Sequence, residues 1–211
     1  MESTLHEPWR ISWDAVDTRA WAYLNRNGQI PESVRKGLPF HGYPRLRLWS
    51  DPGGVGCEVE PTTLSVFELF TQTNERAPVV REAVWQRTAD LHRVQAAIEE
   101  SMTAVMLAPT VGERYAAVPR QQLSSLLREA CAFHVPVAWP NVRESVSSGA
   151  GSVGFEFFSR DQPPASLRLE WSFETPAAWQ PVIDWYERLR QFLEGCLHET
   201  GQNPHESLGD R

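Results

Sequence analysis

The chain has 211 residues, 41% of them hydrophobic and 10% aromatic, enough to bury a sizeable core within one domain of the usual roughly 100–200 residues. Its 20 basic and 27 acidic side chains leave a net charge of −7, without the cationic footprint by which nucleic-acid binders neutralise phosphates. No apolar run approaches the roughly 18 residues of a membrane span. The acidic start, Met1-Glu-Ser-Thr-Leu-His-Glu-Pro-Trp9, does not read as a signal peptide. Cys57, Cys131 and Cys196 are too few and too widely spaced for a disulfide framework. The expectation is a cytoplasmic protein.

Taken in chain order, Trp13 to Asn25 read as a helix. Ser12 is placed to cap it, Val16, Ala20 and Leu24 repeat at four-residue spacing, and Asn27-Gly28 offers a left-handed stop. From Arg45 the period becomes two: Leu46 and Leu48 alternate with Arg45, Arg47 and Trp49, and beyond Asp51-Pro-Gly-Gly54, Val55, Cys57 and Val59 alternate with Glu58 and Glu60. Two alternating runs about a Pro/Gly turn predict a hairpin, with arginines opposite glutamates on its polar face. Leu64 to Phe70 reads as a further strand. Pro78 to Leu107 reads as one long helix, with Val80, Val84, Leu91, Val94, Ile98, Met102 and Val105 on a single stripe and Pro109 as its stop.

Pro119, suited to a first helical turn, opens a helix to Phe133 with Leu123, Leu126, Leu127 and Ala130 on its apolar side. Val135 to Trp139 reads as extended, and Ser145 to Ser152 as a Ser/Gly-rich loop. Sharp alternation then returns. Val153, Phe155 and Phe157 oppose Gly154, Glu156 and Phe158, while Leu167, Leu169, Trp171 and Phe173 oppose Arg168, Glu170, Ser172 and Glu174, which predicts a second hairpin. Thr175 and Pro176 open a closing helix with Val182, Tyr186, Leu189, Leu193 and Cys196 inward, and a polar tail follows from Glu199.

These elements predict a single α+β domain over residues 1–198 with a tail over 199–211. Their order is α-ββ(β)-α-α-ββ-α, and the fold is an antiparallel sheet of two hairpins, four to six strands, covered on one face by long helices. The order resembles that of small secretion chaperones, which bind unfolded client segments. No motif accompanies the resemblance, and order alone implies no function.

Catalytic constellations are sparse. Among His6, His41, His92, His134, His198 and His205 there is no HxH or HExxH. Glu194 and His198 stand four apart on the closing helix, and Cys131 and His134 three apart, where a thiolate and its base could meet. Cys131 also adjoins an apolar stripe and reads as packing, as do Cys57 and Cys196. Gly149-Ala-Gly151-Ser-Val-Gly154 matches GxGxxG, but a strand follows it where a dinucleotide site needs a helix N-terminus.

One surface stands out. If the hairpins share a sheet, Arg45, Arg47 and Trp49 lie on its open face with Phe158 and Arg168, aromatics among arginines of the kind that enrich interface cores. The expectation is a non-catalytic module of adaptor, chaperone-like or immunity/inhibitor type, binding through this face a protein partner that is basic or partly unfolded, with no cofactor, metal, nucleic acid or membrane. Two alternatives stand beside it. One is a hydrolase or metal-dependent enzyme drawing its site from His92, His134, His198 and Cys131, and the other an obligate subunit of a larger assembly.

Overall fold

The computed structural model describes residues 6–25, 44–53, 62–70, 77–134, 150–158, 166–171 and 177–201. In chain order these form α1 (His6–Leu24), β1 (Leu46–Gly53), β2 (Thr63–Phe70), β3 (Val79–Gln86), α2 (Arg87–Ser101), β4 (Val111–Ala117), α3 (Arg120–Ala130), β5 (Ala150–Phe158), β6 (Ser166–Trp171), a short 3-10 turn (Ala177–Trp179) and α4 (Gln180–Gly201). The strands make one six-stranded sheet in the order β4-β3-β2-β1-β5-β6, antiparallel at every pairing. The α+β class and the antiparallel sheet are therefore as the sequence predicts. None of the described helices is long and apolar enough to cross a membrane.

Strand alternation sends one set of side chains to each face. On the first face Leu46 and Leu48 of β1, Phe67 and Leu69 of β2, Val80 of β3, Ala116 of β4 and Phe155 of β5 meet Leu123 of α3 and Val182, Trp185, Tyr186, Leu189, Leu193, Cys196 and Leu197 of α4. The closing helix thus buries the stripe its spacing predicts. It is fastened by polar atoms on its aromatics: Trp185 Nε1 donates to Leu126 O (2.7 Å), and Tyr186 Oη donates to Trp49 O (2.8 Å). Phe155 and Phe157 pack edge-on or tilted against Trp185, with Trp171 edge-on to Phe155.

The second face carries its own core, so helices lie on both sides of the sheet rather than on one. Trp49, Leu64, Val66, Ala83 and Trp85 pack there with Trp13, Val16, Ala20 and Leu24 of α1 and Val94 and Ile98 of α2. The physical reason is that β2 and β3 are apolar in both parities. Leu64 and Val66 face one way and Phe67 and Leu69 the other, all nearly inaccessible, and a strand greasy on both sides must be covered twice. Trp9, Trp13 and Trp85 form a stacked run through this layer, with centroids 6.2 and 5.8 Å apart.

Several local expectations change accordingly. The stretch from Pro78 to Leu107 divides into β3 and α2, because Val79, Val80, Ala83 and Trp85 fill a central strand. The helix ends at Ser101, well before Pro109, and Met102 caps it with a left-handed φ of 54° and an N–H donated to Ile98 O. The connection that follows is tied back to both helices of this layer. Ser12 lies inside α1, not at its start; its hydroxyl donates to Pro8 O and accepts from Val105 N–H, each at 2.8 Å. Asp90, in the first turn of α2 and 1% exposed, accepts from Trp85 Nε1 (2.8 Å), Thr110 N and Thr110 Oγ1 (both 2.6 Å) and Arg93 Nη1 (2.6 Å). Burial pushes its carboxyl up, but these donors outweigh it and hold the acid below its usual range. One carboxylate thereby joins β3, α2 and the entry to β4, a strand whose sparse apolar content gave no period to read. Cys131 is exposed rather than packed, whereas Cys196 is buried. The strand expected over Val55–Val59, the extended Val135–Trp139, the Asn27-Gly28 stop and the tail beyond 201 lie outside the described residues.

Candidate functional site

On the second face the registers place one row of charged side chains squarely across the sheet. Arg168 of β6 pairs with Glu156 of β5, Glu156 with Arg47 of β1, Arg47 with Glu68 of β2, Glu68 with Arg81 of β3, and Arg81 with Tyr115 of β4. Signs alternate along the row, which is the favourable cross-strand arrangement. Arg47 does face glutamates, but they are Glu68 and Glu156 rather than those of the expected first hairpin, because β2 and β5 occupy the two sides of β1. Glu58 and Glu60 lie outside the described residues.

The row changes character along its length. At the β2–β4 end it is buried and closed. Glu68, 1% exposed, accepts from Arg47 Nη2 at 2.7 Å and from Arg81 Nη1 at 2.6 Å. Arg81 also donates Nη2 to Glu113 Oε1 (2.6 Å) and to Tyr23 O (2.8 Å), so one guanidinium neutralises two carboxylates and caps the carbonyl end of α1. Burial acts to lower the pKa of Arg81, and Glu68 and Glu113 overcome it to raise it. Tyr115 Oη donates to Glu113 Oε2 (2.9 Å), and burial beside that carboxylate pushes the phenol up to about 12. With two arginines and two glutamates mutually satisfied, this half is a structural polar core under α1.

Among the described residues, the cover stops at the β5–β6 end. Among the described residues, the second apolar cluster draws on β1 to β4 and takes nothing from β5 or β6. Glu156 and Phe158 are half-buried there, and Arg168 and Glu170 are exposed. Arg168 lies with its guanidinium 4.6 Å from the Trp49 ring centroid and donates Nη2 to Glu170 Oε2 at 2.7 Å. Arg47 lies 5.5 Å from the Phe158 ring centroid. Arg45 Nη1 reaches Phe158 O at 3.4 Å.

The five residues singled out from the sequence are therefore brought together on one face, but not as equals. Trp49 is 8% exposed and belongs to the second core. Its indole lies across Gly154 on β5, where any Cβ would collide with Trp49 Cζ2 and with Leu169 O. Gly154 thus serves as the floor under Trp49, and the GxGxxG match needs no other explanation. Arg47 is mostly buried by Glu68. Phe158, Arg45 and Arg168 line the accessible part, with Glu156 and Glu170 beside them. The sequence reading missed Arg81 and Glu113, whose strands had not been recognised.

The residues of the catalytic alternative lie on three helical segments. His92 is exposed on α2, His198 on α4, and Cys131 and His134 just after α3, where Cys131 Sγ contacts Leu127 O and His134 Nδ1 contacts Ala132 O. Among the described residues, no three His, Cys, Asp or Glu side chains gather as a metal site would require. No family model, curated protein or solved structure matches the chain.

Proposed function

We propose that the chain is a cytoplasmic, non-catalytic protein-binding module of adaptor, chaperone-like or inhibitor type, which docks a protein partner on the β5–β6 end of the second sheet face. The observation that supports this reading is the uneven cover of that face: among the described residues, α1 and α2 roof β1 to β4, while Phe158, Arg45 and Arg168 stand beyond the second cluster. An aromatic flanked by arginines is the composition of interface centres. Glu156 and Glu170 on the same patch would repel a polyanion, which favours a protein surface presenting an apolar anchor between charges of both signs. The net charge of −7 adds long-range attraction for a basic partner.

A photo-crosslinking amino acid in place of Phe158 tests the reading, with the same group in place of His92, exposed on α2, as the control. The expected result is a defined covalent adduct with a second protein from position 158 and none from position 92. Equal labelling from both positions, or adducts from neither, would overturn it.

A further inference from the structure

β6 ends the sheet, and among the described residues no strand pairs with its outer side. Such an edge presents unpaired N–H and C=O groups, a template for another strand. Which groups point outward follows from the ladder. Phe158 N–H donates to Arg45 O at 3.0 Å, so Phe158, Glu156 and Gly154 turn their backbone groups towards β1. Phe157, Phe155 and Val153 turn theirs towards β6, opposite Leu167, Leu169 and Trp171. The N–H and C=O of Arg168 and Glu170 are left directed off the edge.

We infer that β6 pairs with β6 of a second copy of this chain, antiparallel and centred on Leu169. A two-fold axis normal to the sheet keeps each face on its own side, so only residues of like parity can oppose one another. Centred on Leu169, Arg168 stands opposite the partner's Glu170 and Glu170 opposite the partner's Arg168. Both are hydrogen-bonded pairs that satisfy the outward backbone groups. Centred on Arg168 the strand sets that cation against itself, and centred on Glu170 it sets two carboxylates together; like charges directly opposed are unfavourable. Of these three registers, charge selects the one centred on Leu169. On the other face the same register brings Leu167, 59% exposed and among the most exposed large apolar side chains, opposite the partner's Trp171. The edge is self-complementary in backbone, charge and apolar contact at once. Pairing of one short strand buries less than the roughly 1,200–2,000 Å² of a stable interface, so the dimer forms in a concentration-dependent way. It does not depend on the docking reading above, although it would set two copies of that patch on one side of a continuous sheet.

Sedimentation equilibrium across the micromolar range tests this, with the mass expected to rise towards twice the 24.0 kDa of one chain. Arg168→Glu and Glu170→Arg should each weaken association about tenfold by creating two like-charged pairs, and the combined swap should restore it. Because Arg168 also lies over Trp49, a second measurement separates register from folding. In a Cys131→Ser background, Leu169→Cys on the two-fold axis brings its Cα to about 4.5 Å from its mate, within disulfide reach. It should oxidise to a covalent dimer far faster than Leu167→Cys. A monomer at every concentration, single reversals without effect, or equal crosslinking at 167 and 169 would overturn the inference.

Discussion

Arg81→Met isolates the claim that the buried half of the charged row is a closed structural unit. Arg81 has 3% of its side chain exposed and holds Glu68 (1%) and Glu113 (18%) through bonds of 2.6 Å each. Its loss strands one fully buried carboxylate with only Arg47 to answer it, and removes the donor to the Tyr23 carbonyl at the end of α1. Breaking a buried pair from one side costs about 3–5 kcal/mol, so the expected loss is about 4 kcal/mol. In a domain of this size that corresponds to a fall in Tm of about 10 °C. Urea unfolding followed by tryptophan fluorescence measures it. The second variant sharpens the reasoning: Arg81→Met with Glu68→Leu removes the stranded charge as well and should recover about half the loss, since apolar replacement of a whole buried pair is often tolerated. Arg47, 12% exposed, can then turn to water. A loss below about 1 kcal/mol for Arg81→Met, or a double variant as unstable as the sum of its singles, would refute the closed-network account.

Asp90→Asn should destabilise by about 2–4 kcal/mol, since an amide cannot accept all four bonds that the carboxylate receives. Because the folded acid is held below its unfolded range, its contribution is present above pH 4 or so and lost as pH falls further. The variant's stability should therefore depend less on acid than that of the parent, which melting curves between neutral pH and acid would show. Tyr115→Phe should cost about 1 kcal/mol at neutral pH for the lost bond to Glu113. Since folding raises this phenol to about 12, its stabilisation is intact below the ordinary phenol pKa and fades as pH rises through the folded value. Absorbance titration should lose one late-ionising tyrosine in the variant. Gly154→Ala should destabilise by about 1–3 kcal/mol by forcing Trp49 off β5, and an unchanged melting temperature would mean that the indole does not lie there.

The elements that could be read from sequence were those whose faces differ. β5 and β6 alternate cleanly because Phe155, Phe157 and Leu169 face one core, with the exposed Leu167 on the same side, while Glu156, Arg168 and Glu170 face outward. α4 is equally plain, with Val182, Tyr186, Leu189 and Leu193 on one stripe. β3 was illegible for the opposite reason. Buried on both faces, it carries apolar residues in both parities on either side of Arg81 and Glu82, and Val80 and Val84 fit a helical step as well as a strand. β4 hid because Gly112, Glu113 and Arg114 give an edge strand no apolar period. The second helical layer followed from β3 and was missed with it. At the candidate site the shared face of Arg45, Arg47, Trp49, Phe158 and Arg168 was legible from parity alone. The burial of Trp49 was not, since it depends on Gly154 being its neighbour across strands.

The reading rests on the second layer ending at β1 and leaving the β5–β6 face open to a partner. Hydroxyl-radical footprinting of the dilute free chain, with rates normalised to intrinsic residue reactivity, tests that boundary residue by residue. Phe158 should be modified readily, while Trp49, Trp85 and Phe67 are protected. Protection of Phe158 equal to that of Trp85 in the dilute free chain would mean that the face is sealed, and would contradict the account.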